Sequence, residues 1–180
     1  MTNHLHLLVT PGNAGSLPRT MQALGRRYVR HVSTTNRRTG TLWGRYRAAP
    51  IDSEAYFLAC CRYLELNPVR AGMVVESRDY AWSSYRAHPL GAADAVISDH
   101  ALYRGLGGSP ANRRLAYRAL FRPPLDAAFL DALRAAMNGG WALGDERFKR
   151  NLATTLGRRA APLPKGRRPK IAGEPGPNLF

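Results

Sequence analysis

The sequence predicts an α+β fold, and three observations carry that reading. Asn3 to Thr10 and Thr41 to Ile51 have the residue types and alternation of strands, whereas Leu17 to Val32 and Ala55 to Leu66 have helical spacing. The hydrophobic fraction, 44% of 180 residues, is enough for a real core. Beyond about Gly91 the texture changes to short helical segments separated by Gly and Pro. The chain therefore divides into a first folded unit over 1–90, a small helical extension over 91–157 and a basic tail over 158–180. The tail is expected to stay disordered until it binds a partner.

Taken in order, Asn3 to Thr10 is a strand closed by Pro11-Gly12-Asn13. Ser16 stands where a helix cap is needed, and Leu17, Met21, Leu24, Tyr28 and Val32 recur at three- and four-residue spacing to about Ser33. Thr39-Gly40 marks a turn before the second strand. Asp52-Ser53 offers the next cap, with Glu54 in the first turn, where a negative charge favours the helix dipole. Tyr56, Phe57, Cys60, Cys61 and Leu64 form that helix's apolar face. Pro68 disfavours helical geometry at Asn67, which predicts a stop there. Tyr80 to Tyr85, with Trp82, is expected to be a packed loop. Three short helices follow, around 111–120, 125–138 and 146–156.

Charge narrows the partner. Lys and Arg number 27 against 12 Asp and Glu, a net +15. No acid occurs from Met1 to Ile51, and none from Arg147 to Lys170. Most of the bases are arginine, whose planar fork matches phosphate geometry. Nucleic acid is the natural partner for such a surface. An anionic membrane is disfavoured, because no amphipathic lysine-rich helix with an aromatic face is present. No stretch is long and apolar enough to span a bilayer, and the first residues do not show a basic region followed by an apolar run. Cys60 and Cys61 are adjacent, a poor arrangement for a disulfide, and read as buried free thiols of a cytoplasmic protein.

Two motifs carry chemistry. His4 and His6 alternate in an extended run, so both imidazoles fall on one side and can chelate a divalent metal. The bland alternative is a pair of polar edge positions with Leu5, Leu7 and Val9 facing the core. The second motif runs Tyr63-x-x-x-Asn67-Pro68. Helical spacing puts Tyr63 and Asn67 on one face. A tyrosine beside a metal is a candidate nucleophile, and an Asn oxygen suits Mg²⁺ or Mn²⁺. Most helix tyrosines merely pack, and spacing alone leaves both readings open.

Five segments taken together carry a resemblance. They are Asn-His-Leu-His-Leu-Leu-Val (3–9), Met-Gln-Ala-Leu-Gly-Arg-Arg-Tyr-Val-Arg (21–30), Arg-Thr-Gly-Thr-Leu-Trp-Gly-Arg-Tyr-Arg (38–47), Arg-Tyr-Leu-Glu-Leu-Asn-Pro-Val-Arg-Ala-Gly-Met-Val (62–74) and Trp-Ser-Ser-Tyr-Arg (82–86). The chain resembles the REP-associated tyrosine transposases, single-strand DNA transposases of the HUH endonuclease superfamily. The resemblance implies a ferredoxin-like antiparallel sheet with helices. It implies Tyr63 as the nucleophile of a 5′-phosphotyrosine intermediate, with His4, His6 and Asn67 holding Mg²⁺ or Mn²⁺. Single-stranded DNA hairpins of short genomic palindromes are the implied substrate, and the protein is expected to be a nucleoid-associated monomer or homodimer.

Two departures accompany the resemblance. Members of that group carry a strand, a helix and a further strand before the His-x-His strand, so the chain is expected to be N-terminally short. Leu42-Trp43-Gly44-Arg45 is one residue shorter than the usual pattern.

Arg26, Arg27, Arg30, Arg45 and Arg47 are the candidate backbone-phosphate contacts. Arg62 and Arg70 flank the tyrosine segment and are open to a phosphate or a structural role. Arg167 and Arg168 lie in a basic tail segment that can act as a minor-groove hook or a general electrostatic anchor. Trp43, Trp82 and Trp141 are candidates either for base stacking or for the core, while His31, His88 and His100 receive no role. Two other functions remain beside the transposase reading. One is a catalytically inactive nucleic-acid-binding remnant, and the other a metal-dependent phosphoesterase with no covalent step.

Overall fold

The computed structural model describes residues 4–40, 42, 44, 46–163 and 166. Among them it contains six α-helices, α1 (Ser16–Thr35), α2 (Ser53–Arg70), α3 (Ala101–Arg104), α4 (Pro110–Ala119), α5 (Ala127–Gly139) and α6 (Glu146–Leu156). Two 3-10 turns, Ser77–Asp79 and Ser84–Arg86, lie between α2 and α3.

The described residues do not form the expected α+β ferredoxin-like antiparallel sheet. Among the described residues no strands pair, and a single parallel bridge joins Ile51 to Leu143. Alternation decides which side chains share a face, but a strand also needs a neighbour to take its backbone N–H and C=O groups. Residues 4–10 run without regular structure and pack through side chains instead. Leu8 enters the core against α2, whereas Leu5, Leu7 and Val9 are 50%, 50% and 52% exposed. The bland reading of this segment, with those three residues inward, is therefore reversed.

α2 is the central element, and its neighbouring cysteines point into two different clusters. Cys60 and Tyr63 pack with Leu133 and Ala136 of α5 and with Leu143. Cys61 packs with Tyr103 of α3 and Tyr117 of α4. Both thiols are buried and free, as their adjacency predicts. The N-terminal end of α2 is anchored where three segments meet. Leu143 N–H donates to the Pro50 carbonyl at 2.9 Å, Asp52 N–H donates to the Leu143 carbonyl at 2.8 Å, and Ala142 N–H donates to the Ala160 carbonyl at 2.8 Å.

The later helices follow their caps. Ser109, Asp126 and Asp145 each accept a backbone N–H at the starts of α4, α5 and α6. Gly140 and Gly157 close α5 and α6 in the left-handed region, at φ 66° and 59°. α1 differs. Gly15, not Ser16, is its cap position, and the helix contributes no buried residue. Its apolar stripe of Leu24 and Tyr28 is 38% and 48% exposed. The loop expected to pack does so only in part. Tyr85 meets Phe121 edge-on at 5.2 Å, but Trp82 is 87% exposed.

Among the described residues no helix is long and apolar enough to cross a membrane.

Candidate active site

α2 does not stop at Asn67. Pro68 lies within the helix, and the last helical residue is Arg70. A proline in the final turn removes a single donor, and the helix then closes by other bonds. Ala71 N–H donates to the Asn67 carbonyl, Met73 N–H to Pro68 and Gly72 N–H to Val69, each at 2.9 Å. With Gly72 at φ 66°, this is the paired hydrogen-bond closure in which a left-handed residue ends a helix.

The extension matters for the site. Tyr63, Asn67 and Arg70 now stand at i, i+4 and i+7, one stripe of a continuous helix. The Arg70 guanidinium accordingly lies over the Tyr63 ring, 5.3 Å from its centroid. A stop at Asn67 would have taken Arg70 out of that register.

The N-terminal segment meets the same stripe. The His4 and His6 rings sit edge to face with centroids 4.9 Å apart, and His6 meets Tyr63 edge to face at 6.3 Å. His4 is exposed and His6 half-buried, while Tyr63 is only 7% exposed. Burial, and then the neighbouring His4, hold the His6 imidazole below its ordinary range. That favours the neutral form, the one that ligates metals. The structure thus brings His4, His6, Tyr63 and Arg70 together, with Asn67 one turn along from Tyr63.

As a metal site, the donor set fits in part. Two imidazoles on one side of an extended chain, one kept neutral, suit a divalent ion. Among the described residues no group of three His, Cys, Asp or Glu side chains gathers. Among them the third protein donor is left to an amide such as Asn67, the remaining positions going to water or phosphate oxygens.

The candidate phosphate contacts fall into three groups. Arg26, Arg27 and Arg30 are exposed along α1. Arg47 donates to the Asn138 carbonyl at the end of α5, at 3.4 Å. Arg62 is turned away to structure. It donates to the Pro123 carbonyl at 2.5 Å and covers the Phe121 ring at 6.0 Å, and desolvation lowers its pKa. Arg45, Arg167 and Arg168 lie outside the described residues, as does Trp43. A cleft of about 400 Å³ beside α4 carries Asp94 and Asp99 as well as Arg113 and Arg114. A larger one of about 660 Å³ is lined by Pro18, Arg19, Gln22, Tyr46, Ala48 and Arg158, with no carboxylate.

One network escapes sequence reasoning. Glu65, on α2, is 1% exposed and accepts from Ser84 Oγ at 2.6 Å and Tyr117 Oη at 3.0 Å, with His88 Nδ1 at 3.2 Å. Tyr103 Oη donates to the His88 carbonyl at 2.7 Å. Burial and the Glu65 charge raise the Tyr117 phenol far above its ordinary value, so it stays a donor. The available signal was a carboxylate between Leu64 and Leu66 in an apolar helix; its partners are distant in sequence.

Comparison of the chain with protein-family models, curated proteins and solved structures finds no match.

Proposed function

We propose that this chain is a metal-dependent single-strand DNA endonuclease and strand transferase that acts through Tyr63. The observation that carries the reading is the meeting of the His4–His6 pair with Tyr63, under the Arg70 guanidinium. The arrangement sets a paired-imidazole site, a phenol and an exposed cation side by side. Those are the groups that a phosphate lying between them would use.

In the proposed reaction the Tyr63 oxygen attacks the scissile phosphorus. A phosphotyrosine ester forms as the bond to the 3′ oxygen breaks, and the phenol proton passes to solvent base while the leaving oxygen gains one. His4, His6 and Asn67 would hold Mg²⁺ or Mn²⁺, which would supply Lewis-acid polarisation of the phosphate. Arg70 holds positive charge beside the same phosphate. The exposed arginines of α1 bind the strand's backbone on either side. The substrate class is single-stranded DNA carrying hairpins.

A second reading, DNA binding without cleavage, is favoured by the burial of Tyr63, 7% exposed. A denaturing-gel adduct assay with a labelled single-stranded hairpin and Mg²⁺ or Mn²⁺ separates the two. The enzyme gives a metal-dependent covalent band that Tyr63→Phe abolishes. Salt-sensitive binding with no band leaves the binding protein alone.

A further inference from the structure

We propose that Glu65 is a positioning residue, whose buried hydrogen bonds to Ser84, His88 and Tyr117 set the rotation of α2 and thereby the aim of Tyr63. The inference rests on the reading of Tyr63 as nucleophile and adds to it the device that holds the nucleophile still.

The geometry is that of a helix gripped from behind. Tyr63 and Glu65 stand two residues apart, about 200° around the helix axis, and so on opposite faces. Tyr63 faces the cluster of Leu133, Ala136 and Leu143. Apolar packing of that kind tolerates small rotations, because it has no directional bonds. The opposite face is different. There Ser84 Oγ and Tyr117 Oη donate to the Glu65 carboxylate at 2.6 and 3.0 Å, and His88 Nδ1 lies 3.2 Å away.

These partners come from separate places, a 3-10 turn, the residues just after it, and α4. Tyr103 of α3 fixes His88 by its bond to the His88 carbonyl. A carboxylate with 1% exposure has no water to replace a lost donor. Rotation of α2 by even a fraction of a residue breaks several bonds at once. Tyr63, Asn67 and Arg70 ride on the same rigid helix, so the grip on Glu65 is transmitted directly to all three. Ser84, His88, Tyr103 and Tyr117 thus serve the site from the opposite face of α2.

The test uses the full chain, with Tyr117→Phe and Ser84→Ala as variants that remove one donor each and leave volume nearly unchanged. Near-ultraviolet circular dichroism and a thermal midpoint identify the temperature at which each variant stays folded. There, single-turnover adduct formation at saturating hairpin is expected to fall about tenfold or more in Tyr117→Phe, with the binding constant unchanged within about twofold. A purely structural carboxylate predicts full rate in the folded variant, and that result overturns the proposal.

A second readout does not depend on activity. The His6 ring protons lie in the field of the Tyr63 ring, and their NMR shifts report how that ring is aimed. The expected result is a displaced His6 resonance in both variants, the deciding one being Ser84→Ala, because Ser84 lies outside the Tyr103–Tyr117 cluster that Leu8 packs against. An unmoved His6 resonance overturns the proposal. If the wild type itself forms no adduct, the endonuclease reading fails, and the resonance still decides whether Glu65 sets the angle of Tyr63.

Discussion

His6 and Tyr63 meet edge to face with ring centroids 6.3 Å apart, one from the N-terminal segment and the other from the middle of α2. The contact joins the His-x-His pair to the Tyr63–Asn67 stripe, the two candidate motifs of the sequence. It also fixes what single substitutions should do.

Tyr63→Phe should remove covalent adduct formation completely and leave hairpin affinity within about twofold. The ring packs against Leu133, Ala136 and Leu143, and phenylalanine keeps that packing. The stability change should stay within about 1 kcal/mol, the usual net worth of one hydroxyl's hydrogen bond. Adduct gels and urea denaturation of the same preparation check both halves. Residual adduct in the variant would assign the chemistry to another group.

Binding of single-stranded DNA should weaken steeply with salt. Arg26, Arg27 and Arg30 are exposed on a helix with no acid in its sequence. Replacing all three with alanine should reduce the slope of log affinity against log salt by about 2, each phosphate contact contributing about 0.7 on single strands. Titrations at four or more salt concentrations measure it. An unchanged slope would show that α1 does not touch the strand.

The metal and proton equilibria of His6 should be linked. Burial, then His4, lower its pKa below the ordinary 6.5. The unfolded chain therefore takes up its proton first as pH falls through 6.5. Stability contributed by this residue declines from there down to the native midpoint and is constant above 6.5. Mn²⁺ affinity should fall as pH drops through that native midpoint and below it, because the ligand is the neutral ring. NMR titration of the His6 ring gives the midpoint; a value at or above 6.5 contradicts the placement.

The thiols should be silent in the native state. Burial pushes Cys60 up to about 11, and burial reinforced by Glu65 pushes Cys61 up to about 12. Only the thiolate reacts, so a disulfide reagent at pH 8 should label neither cysteine until denaturant is added. Rapid labelling of the folded protein would place them at the surface.

Much of the helical frame is legible from local chemistry. Ser109, Asp126 and Asp145 announce α4, α5 and α6, and Gly140 and Gly157 end two of them, because caps act within a few residues of themselves. Two strands are read from the residues of 3–10 and 41–51, and their antiparallel sheet from family resemblance alone, yet a strand exists only with its neighbour, which alternation cannot supply. The same limit hides the Glu65 network, whose donors stand 19, 23 and 52 positions away. In the candidate site, the pairing of His4 with His6 and the shared stripe of Tyr63 and Asn67 follow from periodicity. Their meeting across the fold, and the place of Arg70, do not, since Pro68 reads locally as a stop.

Gly72 offers a test of that helix end. Its φ of +66° lies in the left-handed region, and a Cβ built there meets nothing within 4 Å. Gly72→Ala should therefore cost only backbone strain, about 1 kcal/mol, with no steric component. Gly72→Asn should recover part of that loss, because asparagine enters the left-handed region more readily than alanine. The closure bonds of Gly72 to Val69 and Met73 to Pro68 hold the final turn that carries Arg70. Fraying that turn moves the guanidinium off Tyr63 while leaving the histidine pair in place. Adduct formation should then fall more in Gly72→Ala than in Gly72→Asn, in the order of their stabilities. Equal rates in all three proteins would show that Arg70 contributes nothing to the reaction.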